Sequence, residues 1–283
     1  MTSENAHHEA KRARMHQAWT VATDNYAAHI EPHFAPLTAA MLAAISHLEP
    51  ARLLDVACGA GEPALTLARH FGPACEVVGI DFCGSMVDRA AQRANGERVP
   101  NCRFECGDAE DLSALADASF DIVTCRQGVG FVPRPERALG EFRRVLKASG
   151  TALVTSWGTK GGALLPRISG GTIASFFEID QDPGGRPPWH FAEENRLARA
   201  LLDAGFDHAD QREVRADIGF ANTRALYSAL RGTAMSPYFQ RVTDELEPAV
   251  LAKIEELAAP YRAGEGYRLP CAFVLATGTV RGA

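Results

Sequence analysis

The sequence has no apolar run approaching the roughly 20 residues that a membrane-spanning helix needs. Its first residues, Met1 to Gln17, are charged and carry no apolar segment, so they do not read as a secretory signal. There is no basic surplus: 29 Lys and Arg face 35 Asp and Glu, for a net charge of -6. That balance argues against nucleic acid or an anionic membrane as partner. No His/Cys set has zinc spacing, and the seven cysteines cannot all pair, so no metal is expected and the thiols are expected reduced, in the cytoplasm. Cys102 and Cys106 can share one face of a strand, either as small buried residues or in a metal or redox role. Internal repeats and low-complexity linkers are absent too. What is abundant is ordinary for a globular chain, 46% hydrophobic and 23% charged, apart from 25 glycines against 16 prolines.

Strand and helix patterns alternate through the middle of the chain. Arg52–Val56 is a short apolar run that ends in a glycine cluster, and Ala64, Leu67, Ala68 and Phe71 then recur at helical spacing. Glu76–Ile80 predicts the second strand, and Met86, Val87, Ala90 and Ala94 the next helix. Cys102–Cys106, Phe120–Thr124 and Thr151–Thr155 read as strands, with a helix marked by Leu139, Phe142, Val145 and Leu146. This rhythm predicts an α/β fold around a doubly wound, mostly parallel sheet. Further on, helices are expected over 193–204, 222–231 and 248–259, and strands over 211–216 and 272–277. Four segments follow: an N-terminal helical lid (1–48) split at Pro32 and Pro36, a nucleoside-binding core (49–160), a loop-rich cap insertion (161–190) containing Pro183, and a completion of the sheet (191–283) with inserted cap helices at about 219–265.

Two of the glycines, Gly59 and Gly61, fall where ligands bind in such folds, while Gly72, Gly96, Gly150 and Gly205 punctuate helices. Asp55-Val-Ala-Cys-Gly-Ala-Gly61 joins the first strand to the first helix, where glycine allows close backbone approach and free N–H groups face an anionic end. Asp81 closes the second strand, 20 residues beyond Gly61, where a carboxylate can take two ribose hydroxyls. Neither G-x-G-x-x-G nor a phosphate loop is present, and Asp55 would repel a pyrophosphate while suiting a cationic amino group. The charge logic favours S-adenosylmethionine (SAM), with S-adenosylhomocysteine (SAH) as product, over NAD.

At these residues the chain resembles the class I SAM-dependent methyltransferases, especially the small-molecule group of ubiquinone and menaquinone C-methyltransferases. The resemblance is carried by Leu54–Gly61, Gly79–Phe82 with Ser85-Met86, Gly107–Leu112, Ser119–Val123, Cys125–Phe131 and Glu141–Leu146. It implies a Rossmann-like, seven-stranded sheet with N-terminal helices and a helical cap. It also implies that Asp55, with the backbone of Ala57, Cys58, Gly59 and Gly61, holds the methionine end, and that Asp81 takes the ribose. Phe82 and Met86 would pack on adenine, and Asp108 would accept from its amino group, beside Ala109 and Glu110. Arg126 and Gln127 would face the methionine portion and the acceptor, and Tyr26 would be a lid residue. Met86 can instead be core and Glu110 a solvated loop acid. Ala57 departs from the usual first glycine. Arg126 can pair with the SAM carboxylate, bind an anionic substrate or turn into a surface salt bridge.

Methyl transfer is mainly a matter of proximity and alignment, with a base needed only where the acceptor loses a proton. The candidates for that base are Tyr26, His29, His33 and His190, each histidine being equally readable as a packing or surface residue. Phe176, Phe177, Trp189, Phe191, Tyr227 and Tyr238 either line an apolar acceptor pocket or form a small core under the cap. The expected reaction is methyl transfer to carbon or oxygen of a mid-sized, partly apolar metabolite, as in specialised metabolism. A SAM-binding cyclase that does not methylate and an NAD-dependent oxidoreductase are the alternatives. The exposed N-terminal helix pair is compatible with a homodimer or higher homo-oligomer.

Overall fold

The computed structural model describes residues 3–179 and 186–282. Pro183, part of the expected cap excursion, lies outside them. Two helices lead the chain, α1 (Ser3–His29) and α2 (Ala35–Ile45), joined by a tight 3-10 turn at Glu31–Phe34. Pro32 and Pro36 sit in the first turns of the 3-10 segment and of α2, where the missing N–H would have had no partner in any case. Then follow β1 (Arg52–Val56), α3 (Ala64–Phe71), β2 (Glu76–Asp81), α4 (Gly84–Gly96), β3 (Cys102–Cys106), β4 (Phe120–Arg126), α5 (Pro135–Val145) and β5 (Leu146–Trp157). The rest comprises α6 (Leu164–Ala174), α7 (Arg196–Asp203), β6 (His208–Phe220), α8 (Thr223–Leu230), α9 (Ser236–Phe239), α10 (Glu247–Ala258), β7 (Arg262–Ala263) and β8 (Gly266–Thr279).

The sheet runs β3-β2-β1-β4-β5-β8-β6, with the two-residue β7 paired off this path to β8. The first five strands are parallel; β8 runs antiparallel to both β5 and β6. Parallel strands need cover on both faces, and the side chains supply it by alternation. Leu53, Ile122 and Leu153 bury into the layer with α2, α3, α6 and α10, while Leu54, Val56, Val123 and Val154 bury into the layer with α5 and α7. Each fully buried aliphatic side chain contributes about 1.5–3 kcal/mol. Winding reverses between β1 and β4, and the crevice beyond their carboxyl ends is where such sheets place ligands.

The expected loop-rich stretch 161–190 contains a regular helix, α6. Its buried face, Leu164, Leu165, Ile168, Ser169, Thr172 and Ile173, has helical spacing, and the pair Gly170-Gly171 sits inside it rather than ending it. Glycine serves packing here: a Cβ on Gly171 would lie 3.2 Å from Leu257 Cδ1 of α10. The last two long strands extend well past the expected 211–216 and 272–277, because β6 and β8 pair along 13 registered positions. All seven cysteines are free thiols; Cys102 is buried and Cys106 exposed.

Candidate active site

β1 ends at Val56, and the chain turns through Ala57 to Gly61 before α3. Gly59 has φ +53°, and a Cβ there would lie 3.3 Å from the Tyr26 ring, so the loop both needs a left-handed residue and has no room for a side chain. Ala57 also sits in the left-handed region, at φ 56°, which explains why glycine suits this position and implies about 1–2 kcal/mol of strain. Gln127 is the second such residue at the same crevice, at φ 65°. Thr155 Oγ1 holds it there, accepting from Gln127 N at 3.0 Å and Nε2 at 3.2 Å. The two loops touch: a Cβ on Gly128 would lie 2.4 Å from the Ala57 Cβ.

Asp81, at the end of β2 and only 6% exposed, accepts from Gly59 N through Oδ2 and from Cys83 N through Oδ1, both at 2.9 Å. Burial pushes its carboxyl up to about 6, against the opposing pull of those N–H groups. Asp108 Oδ1 accepts from Glu110 N at 2.9 Å, and its Oδ2 pairs with Arg12 of α1 at 2.9 Å. Glu110 is no solvated loop acid. It is 1% exposed and pairs with Arg134 Nε at 2.8 Å and Arg12 Nη2 at 3.2 Å, tying the start of α5 to α1.

A cavity of about 330 Å³ opens over these strand ends. Of the residues expected at a cofactor, Tyr26, Ala57, Gly59, Asp81, Phe82, Met86, Asp108, Ala109, Arg126 and Gln127 line it. Asp55, Cys58, Gly61 and Glu110 do not. Asp55 is fully buried, its Oδ1 accepting from Thr124 Oγ1 at 2.7 Å and its Oδ2 from Ala64 N at 3.3 Å, and burial pushes it up to about 7. Its carboxyl therefore braces the start of α3 beneath the loop. Cys58 packs behind the loop towards Gly79, and the space above Gly61 is taken by Leu65. Met86 is both core and lining, packed with Ala60 and Cys83 beneath Trp19, Tyr26 and Phe82.

The helix α1 roofs the cavity with Arg12, Met15, Trp19 and Tyr26. Thr23 and Ser85 hydroxyls meet at 2.7 Å, and the Trp19 ring stands edge-on to Tyr26 and Phe131. The same cavity has a mostly apolar stretch of wall, the chamber formed by Phe34, Trp157, Leu165, Trp189, Thr233 and Met235, which it shares with Arg126. Among the six aromatics expected to shape an acceptor pocket, only Trp189 is there. Phe176, Phe177 and Tyr238 pack against one core layer, Tyr227 is buried within it, and Phe191 is buried in the other. Phe34, Trp157 and Met235 went unread; Phe34 and Trp157 stack edge-on at 5.9 Å.

Three of the proposed bases fall outside the cavity. His29 is exposed, His33 packs on Phe220, and His190 lines a separate surface pocket beside Arg196. Tyr26 is inside, but burial pushes its hydroxyl up, so it stays a donor. Arg126 is 4% exposed and does not turn to the surface; its Nη1 donates to Thr38 Oγ1 at 3.0 Å and its Nη2 lies 3.7 Å from Glu31 Oε1.

Residues 54–154 match the methyltransferase domain family. A demethylmenaquinone methyltransferase of Lactobacillus johnsonii is 39% identical over 34% of this chain and 40% of its own length. That match spans well under half of the relative. The demethylmenaquinone methyltransferase of Deinococcus radiodurans is 33% identical over 59% of this chain and 72% of its own length. In fold, the crystal structure of the [4+2]-cyclase SpnF superposes with a TM-score of 0.56, 23% identity, and coverage of 87% of this chain and 80% of that one. The glycine loop, the acid-ended β2 and a relative of this identity matched over most of its length agree: the chain belongs to the class I SAM-dependent methyltransferases.

Proposed function

We propose that the chain transfers a methyl group from SAM to a carbon or oxygen of a mid-sized, partly apolar metabolite. The observation that carries this is the single cavity running from the acid-ended strands to the chamber of Phe34, Trp157, Leu165, Trp189 and Met235. The residues fit the cofactor: Asp81 faces the cavity, and Gly59 brings bare backbone to its wall beside Tyr26, where a Cβ would crowd the ring. When bound, SAM supplies a methyl group on a sulfonium, a good leaving group.

In this reading Asp81 takes the ribose hydroxyls, Phe82 and Met86 flank the adenine, and Asp108 with Ala109 meets its polar edge. Ala57, Gly59 and Gln127 border the methionine portion. Asp55 positions rather than binds, by fixing the first turn of α3 against β4. Tyr26 and Trp19 exclude water from above, the lid role assigned to segment 1–48. The chamber walls from α6 and the α8–α9 connection select the acceptor, which gives the cap segments their role. No helix among the described residues is long and apolar enough to cross a membrane. The free thiols support a reducing, cytoplasmic setting.

The test is incubation with methyl-labelled SAM and a fractionated small-molecule extract. Label is expected in a product soluble in organic solvent. SAM binding without any labelled product would instead favour a cyclase that leaves the methyl group in place.

A further inference from the structure

Arg126 carries more charge into the cavity than its surroundings balance. Thr124 and Arg126 of β4 point to the same face, so one reaches Asp55 and the other the cavity. The acid nearest the Arg126 guanidinium is Glu31, buried and also paired with Arg93 of α4. Arg93 has further acceptors in Ala60 O, Glu62 and Glu97; Arg126 has only neutral close partners besides Glu31, the Thr38 and Tyr26 hydroxyls and the Phe34 ring, with Asp55 acting at longer range, and buried Nη2 has no hydrogen-bond partner among the described residues. Within ion-pair distance one carboxylate thus serves two guanidiniums, and an incompletely paired buried cation is costly. The sulfonium and ammonium of SAM add positive charge, so the cofactor can relieve Arg126 only through its carboxylate.

A second observation points the same way. The carboxylates lining the cavity, among the described residues, are Asp81 and Asp108, the first held by two backbone N–H groups and the second by Arg12. No histidine among the described residues lines it. Among the described residues, none lining the cavity is a free base placed to remove a proton from an acceptor, whereas a guanidinium there favours an acceptor that is already ionised.

We propose that Arg126 determines acceptor specificity by binding an oxyanion on an apolar acceptor, either a carboxylate or a phenolate or enolate conjugated with the methylated atom. The inference rests on the chamber being the acceptor site. In the step itself the acceptor's electron pair forms the new bond to the methyl carbon. The bond from that carbon to sulfur breaks with its pair staying on sulfur; at an aromatic or α-carbon, the displaced proton then leaves to water.

All three tryptophans, Trp19, Trp157 and Trp189, line the cavity, so intrinsic fluorescence reports on it. We would titrate the SAH-saturated protein with 4-nitrobenzoate and 4-nitrobenzamide, which share a shape, quench tryptophan and differ in charge. The expected result is at least tenfold tighter binding of the benzoate, with the preference lost in Arg126→Met and reduced in Arg126→Lys, while SAH affinity stays within threefold. A third probe, 4-nitrophenol, separates the two oxyanion sources, because stabilised phenolate is seen directly in its visible absorbance. Equal binding of benzoate and benzamide by the unmodified protein, or no saturable benzoate binding, overturns the proposal even if the variants do not fold. A preference that survives Arg126→Met also overturns it, as does a tenfold loss of SAH affinity in that variant, which would assign Arg126 to the cofactor carboxylate. Failure of the unmodified protein to bind SAH would be a failure of the methyltransferase reading, seen separately from the probe preference.

Discussion

Replacing Asp81 by alanine removes the carboxylate proposed to hold the ribose, and the structure sets how much that should cost. Both carboxylate oxygens already accept from backbone N–H groups, Gly59 N and Cys83 N, at 2.9 Å, so the side chain is fixed in place before any ligand arrives. Two hydrogen bonds from ribose hydroxyls to an ionised, preorganised acceptor are worth about 1.5–3 kcal/mol each. With part of that recovered by water in the emptied space, a net loss of ~3 kcal/mol is expected, roughly a hundredfold in SAH dissociation constant. Asparagine does not rescue it, since either amide orientation sets an NH₂ against the N–H of Gly59 or of Cys83. Calorimetry from pH 5 to 8 adds an independent signature. Burial raises the Asp81 carboxyl to about 6, above its unfolded value, so its contribution to apo stability is full below that unfolded value and is lost as pH rises through about 6. Ribose binding needs the ionised form, so SAH affinity moves the opposite way: steady above pH 7 and falling by at most tenfold per unit below 6. The thermal shift produced by SAH should therefore grow between pH 5 and 7 and be flat in Asp81→Asn. SAH affinity within threefold of normal in Asp81→Ala, in a variant that melts as a folded protein, would refute the ribose assignment.

Asp55→Asn removes a carboxyl raised by burial to about 7, whose stabilising contribution is full below its unfolded value and lost as pH rises through 7. Its melting temperature relative to the unmodified protein should therefore climb from pH 4 to 7 and then level off. Gly79→Ala puts a Cβ 2.4 Å from Phe104 Cδ1 of β3 and should destabilise by about 1–3 kcal/mol in denaturant titration. Glu110→Gln breaks the pairs to Arg12 and Arg134, and hydrogen exchange across the first half of α1 should speed up markedly more than in β1. Simultaneous His29→Ala, His33→Ala and His190→Ala should leave transfer of labelled methyl within about threefold, because none of the three lines the cavity; a loss of a hundredfold would restore a histidine base.

What could be read in the sequence depended on how local its cause was. β1, β2, β4 and the buried end of β5 are legible because a parallel strand covered on both faces is a compact apolar run closed by a turn, whereas the edge strand β3 carries only a weak pattern. The same locality made Asp81 and the glycine loop visible from spacing, while Asp108 was visible through the family resemblance of Gly107–Leu112. Where Asp55 would point was not visible, because Thr124, which takes its Oδ1, is 69 residues away. Arg126 was legible as a residue at the site but not as an underpaired cation, since its partners Glu31 and Thr38 come from the N-terminal helices. The helix α6 hid behind two adjacent glycines that serve packing against α10. The acceptor chamber was least legible. Phe34, Trp157, Leu165 and Met235 come from four separate segments, while the more conspicuous aromatics of the cap turned inward as its core.

The most direct test of the account is a crystal structure of the protein with SAH. It should place the ribose on Asp81, the adenine between Phe82 and Met86, and the sulfur at the mouth of the chamber formed by Trp157, Leu165, Trp189 and Met235. An adenosyl group bound outside this cavity, or a sulfur facing away from the chamber, would contradict the central claim.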